Sequence, residues 1–184
     1  MKIENVKMIK RLKRGHFSKV YLGKDGLIYH LIASEHCDYS KEAIYLWGQC
    51  KHSPEIERLE NVYISYYRDW FYVFRMPRYF ALKGKNKKII EEIQDSWENH
   101  LRDWQNWRLR QRKTAYEFVM KWFDNCLGTL DIPDEIKESI VCIYDSVVNY
   151  GQSFLLEFPN HNVKQDKDGK IILLDIVFDV EKVE

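Results

Sequence analysis

The sequence predicts an α+β chain: an antiparallel, β-rich amino-terminal part over residues 1–79, then a mainly helical part over 80–184 that ends in a β-hairpin. Three observations carry this prediction. Before Pro77 the apolar residues fall in short runs broken by turn residues, with the two-residue period of half-buried strands. After Pro77 they recur at steps of three and four, the period of helices packed on one side. Near the end, the turn-forming Asp166-Lys167-Asp168-Gly169 leads into an apolar run from Ile171 to Phe178.

In order, strands are expected over residues 6–12, 18–22 and 27–33, with Lys24-Asp25-Gly26 turning the second into the third. Val20 and Leu22 fall on one face of the middle strand, Lys19 and Tyr21 on the other. Residues 38–49 read as a short helix with Ile44, Leu46 and Trp47 on its apolar side, capped by Asp38 or Ser40 and ended by Gly48. Two more strands follow, 62–67 and 70–76, joined by Arg68-Asp69. The order to this point is β-β-β-α-β-β. Ile90, Ile93, Trp97, Leu101 and Trp104 then predict one long amphipathic helix entered through the basic run at 83–88. A second helix over 116–127 carries Phe118, Val119, Trp122 and Phe123, and a third opens at Pro133-Asp134 and closes at Gly151. Val163 and Lys164 form the first arm of the terminal hairpin.

Composition narrows the function classes. The chain has 184 residues, 45% hydrophobic and 31% charged, with only 8 Gly and 4 Pro, which excludes disordered and collagen-like classes and suits one domain or two small lobes. Met1-Lys2-Ile3-Glu4-Asn5 lacks the apolar core of a signal peptide, and no run approaches the roughly 18 apolar residues of a membrane helix. A soluble, cytoplasmic protein with no membrane partner is expected. Cys37, Cys50, Cys126 and Cys142 contain no C-x-x-C pair, and His36-Cys37 with Cys50 and His52 makes a poor tetrahedral set, so buried or idle thiols are expected. The net charge of +1 hides an asymmetry: residues 1–123 carry 24 Lys and Arg against 15 Asp and Glu, and residues 124–184 carry 5 against 13. Such a chain can hold its own halves together or present a basic face to an anion.

Three segments bear chemistry. Arg14-Gly15-His16-Phe17-Ser18-Lys19 joins two strands, and a glycine there lets backbone N–H groups approach an anion, although an ordinary hairpin reads the same way. Glu157-Phe158-Pro159-Asn160-His161-Asn162 sits between a helix and a hairpin. Asp175 lies within the apolar run, where a carboxylate loses hydration unless a cation or hydrogen bonds compensate. Alternatively, the strand ends at Leu174 and Asp175 caps a turn.

On these residues the sequence resembles the protein-kinase-like fold, in particular the small early protein kinases of T7-like bacteriophages. The β-β-β-α-β-β order is similar to a kinase N-lobe, and Gly15, His16, Phe17 and Ser18 resemble its nucleotide-covering loop. The kinase catalytic loop places an Asn five residues after its Asp, the spacing of Glu157 and Asn162, and Asp175 stands where the metal-binding Asp of the D-F-G segment would follow. The resemblance implies a minimal fold of antiparallel β N-lobe and reduced helical C-lobe. It further implies ATP and Mg2+ as cofactors, with Asn162 and Asp175 as metal ligands and Glu157 in the catalytic position.

Two departures shape the expected function. Glu157 replaces the catalytic Asp, shifting the carboxylate by roughly 1.5 Å, a displacement on the scale that costs on the order of 100-fold in rate. The third-strand Lys is absent; His30 stands near its position, shorter and with an ordinary pKa near ~6.5. Lys19 or Lys24 could supply charge from neighbouring strands. Asp175-Ile176-Val177 replaces D-F-G with nine residues after the Asp, too few for a peptide-docking lobe. The expected function is therefore a pseudokinase that binds a host protein, in the host cytoplasm if phage-encoded, with residual Mg-nucleotide binding. A second reading is an active minimal Ser/Thr kinase with Glu157 as base. A third is a nucleic-acid-binding module on helix 97–113, where Trp104 and Trp107 interleave with Arg102, Arg108, Arg110, Arg112 and Lys113, although Trp97, Leu101 and Trp104 share a core-facing stripe. His161, beside Asn162, is the one histidine the loop would bring near a metal.

Overall fold

A computed structural model describes residues 8–14, 18–33, 45, 50–64, 69–111 and 114–180. It is a mixed α+β structure, an antiparallel sheet followed by helices. Five strands, β1 (Met8–Arg14), β2 (Ser18–Gly23), β3 (Ile28–Ala33), β4 (Glu57–Ile64) and β5 (Asp69–Met76), form one sheet in the order β1-β2-β3-β5-β4, each neighbouring pair antiparallel. The helix expected over 38–49 lies outside the described residues apart from Tyr45, which is helical.

The β2–β3 turn forms as its residues require. Gly26 adopts φ +80°, a conformation side chains disfavour, and Asp25 accepts a hydrogen bond from the Leu27 N–H at 3.0 Å. The register pairs Val20 with His30 and Leu22 with Ile28 on one face, and Tyr21 with Tyr29 on the other, as the alternation predicts. β4 begins five residues earlier than the sequence suggests. Glu57 and Arg58 look like loop residues, but β4 is an edge strand, where charged side chains are tolerated. There Glu57 pairs with Arg75, and the Arg58 guanidinium lies 4.9 Å from the Tyr72 ring centre.

The helices after Pro77 are α1 (Gly84–Leu101), α2 (Trp104–Gln111), α3 (Ala115–Asn125), a 3-10 turn (Leu127–Thr129) and α4 (Asp134–Val148). Ile90, Ile93 and Trp97 of α1 are buried as their spacing demands. The single long helix expected through Trp104 is broken at Arg102-Asp103. The Asp103 carbonyl accepts from the Trp107 N–H at 2.9 Å, the first bond of a new helix, and Asp is a favoured residue at that position. The break lets rings from both helices reach one place: Trp97, Trp104 and Trp107 lie 5.9, 5.1 and 5.5 Å from the Phe118 ring centre. Trp97 and Trp107 are only 2% and 8% exposed and belong to the core.

α3 opens with a capping box in which Thr114 and Glu117 exchange side-chain and backbone hydrogen bonds. Its Trp122 meets Trp97 edge to face at 5.2 Å and donates its N–H to the Ser96 hydroxyl. Opposite it, α4 buries Ile136, Ile140, Ile143 and Val147. No helix among the described residues is long and apolar enough to cross a membrane.

Trp122→Ala should destabilise the protein by about 3–5 kcal/mol through lost burial and the cavity left behind. Thr114→Ala should cost only about 1 kcal/mol through the lost cap. Urea denaturation followed by tryptophan fluorescence and circular dichroism orders the two.

Candidate functional site

Residues 154–179 form two small sheets that interlock. β6 (Phe154–Leu156) pairs antiparallel with β9 (Val177–Asp179), and β7 (Val163–Gln165) pairs with β8 (Ile171–Leu173). The hairpin between β7 and β8 turns at Gly169, φ +85°, with Asp166 accepting hydrogen bonds from the N–H groups of Asp168 and Lys170. The apolar run from Ile171 is thus not one strand with Asp175 inside it. It is two three-residue strands with different partners, and the chain bends at Leu174 and Asp175 to pass from one sheet to the other. Asp175 is half-buried in that bend, so the turn alternative describes its backbone.

The bend is held by Asn162. Its backbone carbonyl accepts from the N–H groups of Leu174 at 2.8 Å and Asp175 at 3.3 Å. Its side-chain N–H donates to Glu157 Oε1 at 2.6 Å. Glu157 is fixed in turn, because its backbone N–H bonds the Ile176 carbonyl at 2.8 Å and continues the β6–β9 ladder by one residue. Between them the loop is anchored by the buried Phe158, which packs toward Trp122, and tightened by the Asn162 N–H on the Pro159 carbonyl. Glu157, Asn162 and Asp175 therefore converge.

This convergence creates electrostatic tension. Burial, then the negative charge of Asp175, push the Glu157 carboxyl above the usual range, and the Asn162 hydrogen bond only partly offsets them. Asn162 is 6% exposed and gives its amide N–H to Glu157, which leaves its Oδ1 as an oxygen donor. With the two carboxylates this makes a set of hard oxygen ligands of the kind a divalent cation such as Mg2+ takes. Among the described residues no group of three or more His, Cys, Asp or Glu could enclose a metal. These three side chains would fill part of a coordination sphere, which suits a cation that also keeps water or phosphate ligands.

Two of the other expected site residues belong to the five-stranded sheet. His30 is half-buried in β3, across from Val20 on one side and Phe74 on the other. Ser18 is the first residue of β2, opposite Ile32. Gly15, His16 and Phe17 lie outside the described residues. His161 is exposed on the loop.

Two supporting residues escape a reading of spacing alone. Lys164 donates from Nζ to the Asn160 carbonyl at 2.7 Å, bracing the loop from β7. His52, which shows no telling partner in the sequence, is buried and ties distant segments together. Its Nδ1 lies 2.7 Å from the Ile171 carbonyl, its own carbonyl accepts from the Leu173 N–H at 2.8 Å, and its N–H reaches the Ser139 hydroxyl. Nearby, Lys51 pairs with Glu135. A second tie joins Phe80 and Gln165 through two backbone hydrogen bonds, and Asn86 donates to the Gly169 carbonyl. These contacts secure the β7–β8 hairpin to residues 50–53 and 80–86.

No family model matches the chain, and no curated protein matches it.

A carboxyl whose pKa is raised by folding contributes stability fully present below its unfolded pKa and lost as the pH rises through the folded value. Ionised Glu157 therefore weighs against the fold at neutral pH. Glu157→Gln keeps the hydrogen-bond acceptor and removes the charge, so its melting temperature should exceed the wild type's at about pH 7.5, with the gap closing by about pH 4. Thermal melts across that range measure it.

Proposed function

We propose that this chain is a protein-kinase-like protein of the pseudokinase type, with Mg-nucleotide bound weakly at the Glu157 loop and a host-protein partner as its principal target. The observation that carries this reading is the convergence of Glu157, Asn162 and Asp175 on one loop and one bend, with the Glu–Asn spacing of five and the Asp arriving from the strand after the hairpin. The sheet order β1-β2-β3-β5-β4 ahead of the helices is compatible with it.

Asn162 and Asp175 would hold the metal, which would supply positive charge to offset that of the nucleotide phosphates. The chain's own residues then account for weak turnover. Glu157 is tethered through Oε1 by Asn162 and carries an extra methylene relative to Asp, which misplaces a proton acceptor. His30, at the centre of the sheet, offers less charge to a phosphate than a lysine. A positioned base is worth about 100- to 10,000-fold in rate, so an unoptimised one leaves little phosphoryl transfer.

The second reading, an active Ser/Thr kinase, is favoured by one observation. Burial and Asp175 raise the proton affinity of Glu157, and Asn162 occupies only one of its two oxygens. In that case Glu157 takes the proton of a substrate hydroxyl as its oxygen bonds the γ-phosphorus and the bond to ADP breaks.

Titration with Mg·ATP should raise the melting temperature saturably, a ligand at 100 times its Kd adding ~2.7 kcal/mol, and Asp175→Ala should abolish the shift. Incubation with labelled ATP and a hydroxyl-bearing protein substrate should leave no phosphate that disappears in Asp175→Ala. Asp175-dependent incorporation would establish the second reading, and a flat titration would overturn nucleotide binding altogether.

A further inference from the structure

The flank of α4 away from its buried stripe leaves an open, shallow trough of about 720 Å3 against the end of α3 and the turn at Leu127–Thr129. That volume falls within the roughly 300–1,000 Å3 typical of ligand clefts. The floor is apolar, supplied by Phe123, Leu127 and Val141 with Cys142 beside them, and burial pushes the Cys142 thiol up to about 11, so it behaves as an apolar surface rather than a reactive thiolate. On the rim stand Glu138 and Asp145, both exposed. They are seven residues apart on one helix, about 10.5 Å or two turns along its axis.

Among the described residues, no salt bridge engages the Glu138 or Asp145 carboxylate. Lys137, which also lines the trough, is engaged by Asp134 at 3.2 Å and by the Gly128 carbonyl at 3.3 Å. Burial against the groove wall holds the Asp145 carboxyl above the usual range. A neutral apolar occupant would cover the floor while further desolvating these carboxylates, at a cost nothing repays. An acidic occupant would be repelled. What suits the trough is an apolar stripe with positive charge at its margin.

We propose that this trough docks an amphipathic helical segment of a partner protein, its apolar side chains on the Phe123, Leu127 and Val141 floor and two Lys or Arg side chains, about two turns apart, facing Glu138 and Asp145. The proposal rests on the partner-binding half of the function above. It shares no residue with the Glu157 site, so the two can fail separately.

The test is to pan a random peptide display library against the full chain and to measure a selected peptide by fluorescence anisotropy. Selected sequences should be apolar at helical spacing with Lys or Arg about seven residues apart. Their affinity should fall steeply with salt and drop by about tenfold or more in the Glu138→Lys, Asp145→Lys double variant and in Val141→Arg. The double variant changes exposed side chains only, and its circular dichroism and Mg·ATP response should match the wild type's. A neutral or acidic consensus, no consensus, or binding indifferent to these substitutions would overturn the proposal. Sedimentation showing a dimer that the double variant dissolves would also overturn it, assigning the trough to a second copy of the chain.

Discussion

The site depends on the bonding of Asn162. One buried residue receives two backbone N–H groups on its carbonyl and gives its side-chain N–H to Glu157, so a loop, a bend and a carboxylate are fixed by three hydrogen bonds from a single position. A buried amide left without such partners would cost about 1–3 kcal/mol per unmet group. Here that cost is avoided by bringing together the two carboxylates that repel each other. The fold accepts this repulsion because the backbone ladders around it, β6 with β9 and β7 with β8, are anchored in the core by side chains such as Leu155, Leu156, Val163, Leu173 and Val177.

How much of this was legible in the sequence follows from the range of the interactions involved. The β2–β3 turn, the buried stripe of α1 and the hairpin at Asp166–Gly169 are local, and residue type with spacing is enough to find them. The break at Arg102-Asp103 was missed because apolar periodicity continues across it. What accompanies it is packing on Phe118, a residue beyond the break that receives both Trp104 and Trp107. The early start of β4 was missed because charges at an edge strand mimic a loop.

The trio at the site was legible as three residues and one spacing, but not as a geometry. Placing Asp175 inside a strand followed from its apolar neighbours. The bend appears only when Ile171–Leu173 and Val177–Asp179 are seen to belong to different sheets. The role of His52 could not be read at all, since its partners at Ser139, Ile171 and Leu173 lie far along the chain and two of the contacts are with backbone atoms.

That last contact spans most of the sequence between the sheet and the site. His52 and Ile171 are separated by 119 positions, and closing a loop of that length carries an entropic penalty that only well-formed structure on both sides can overcome. The hairpin that delivers Asp175 is therefore also the clasp that fastens residues 50–53 and 80–86 to the β7–β8 pair.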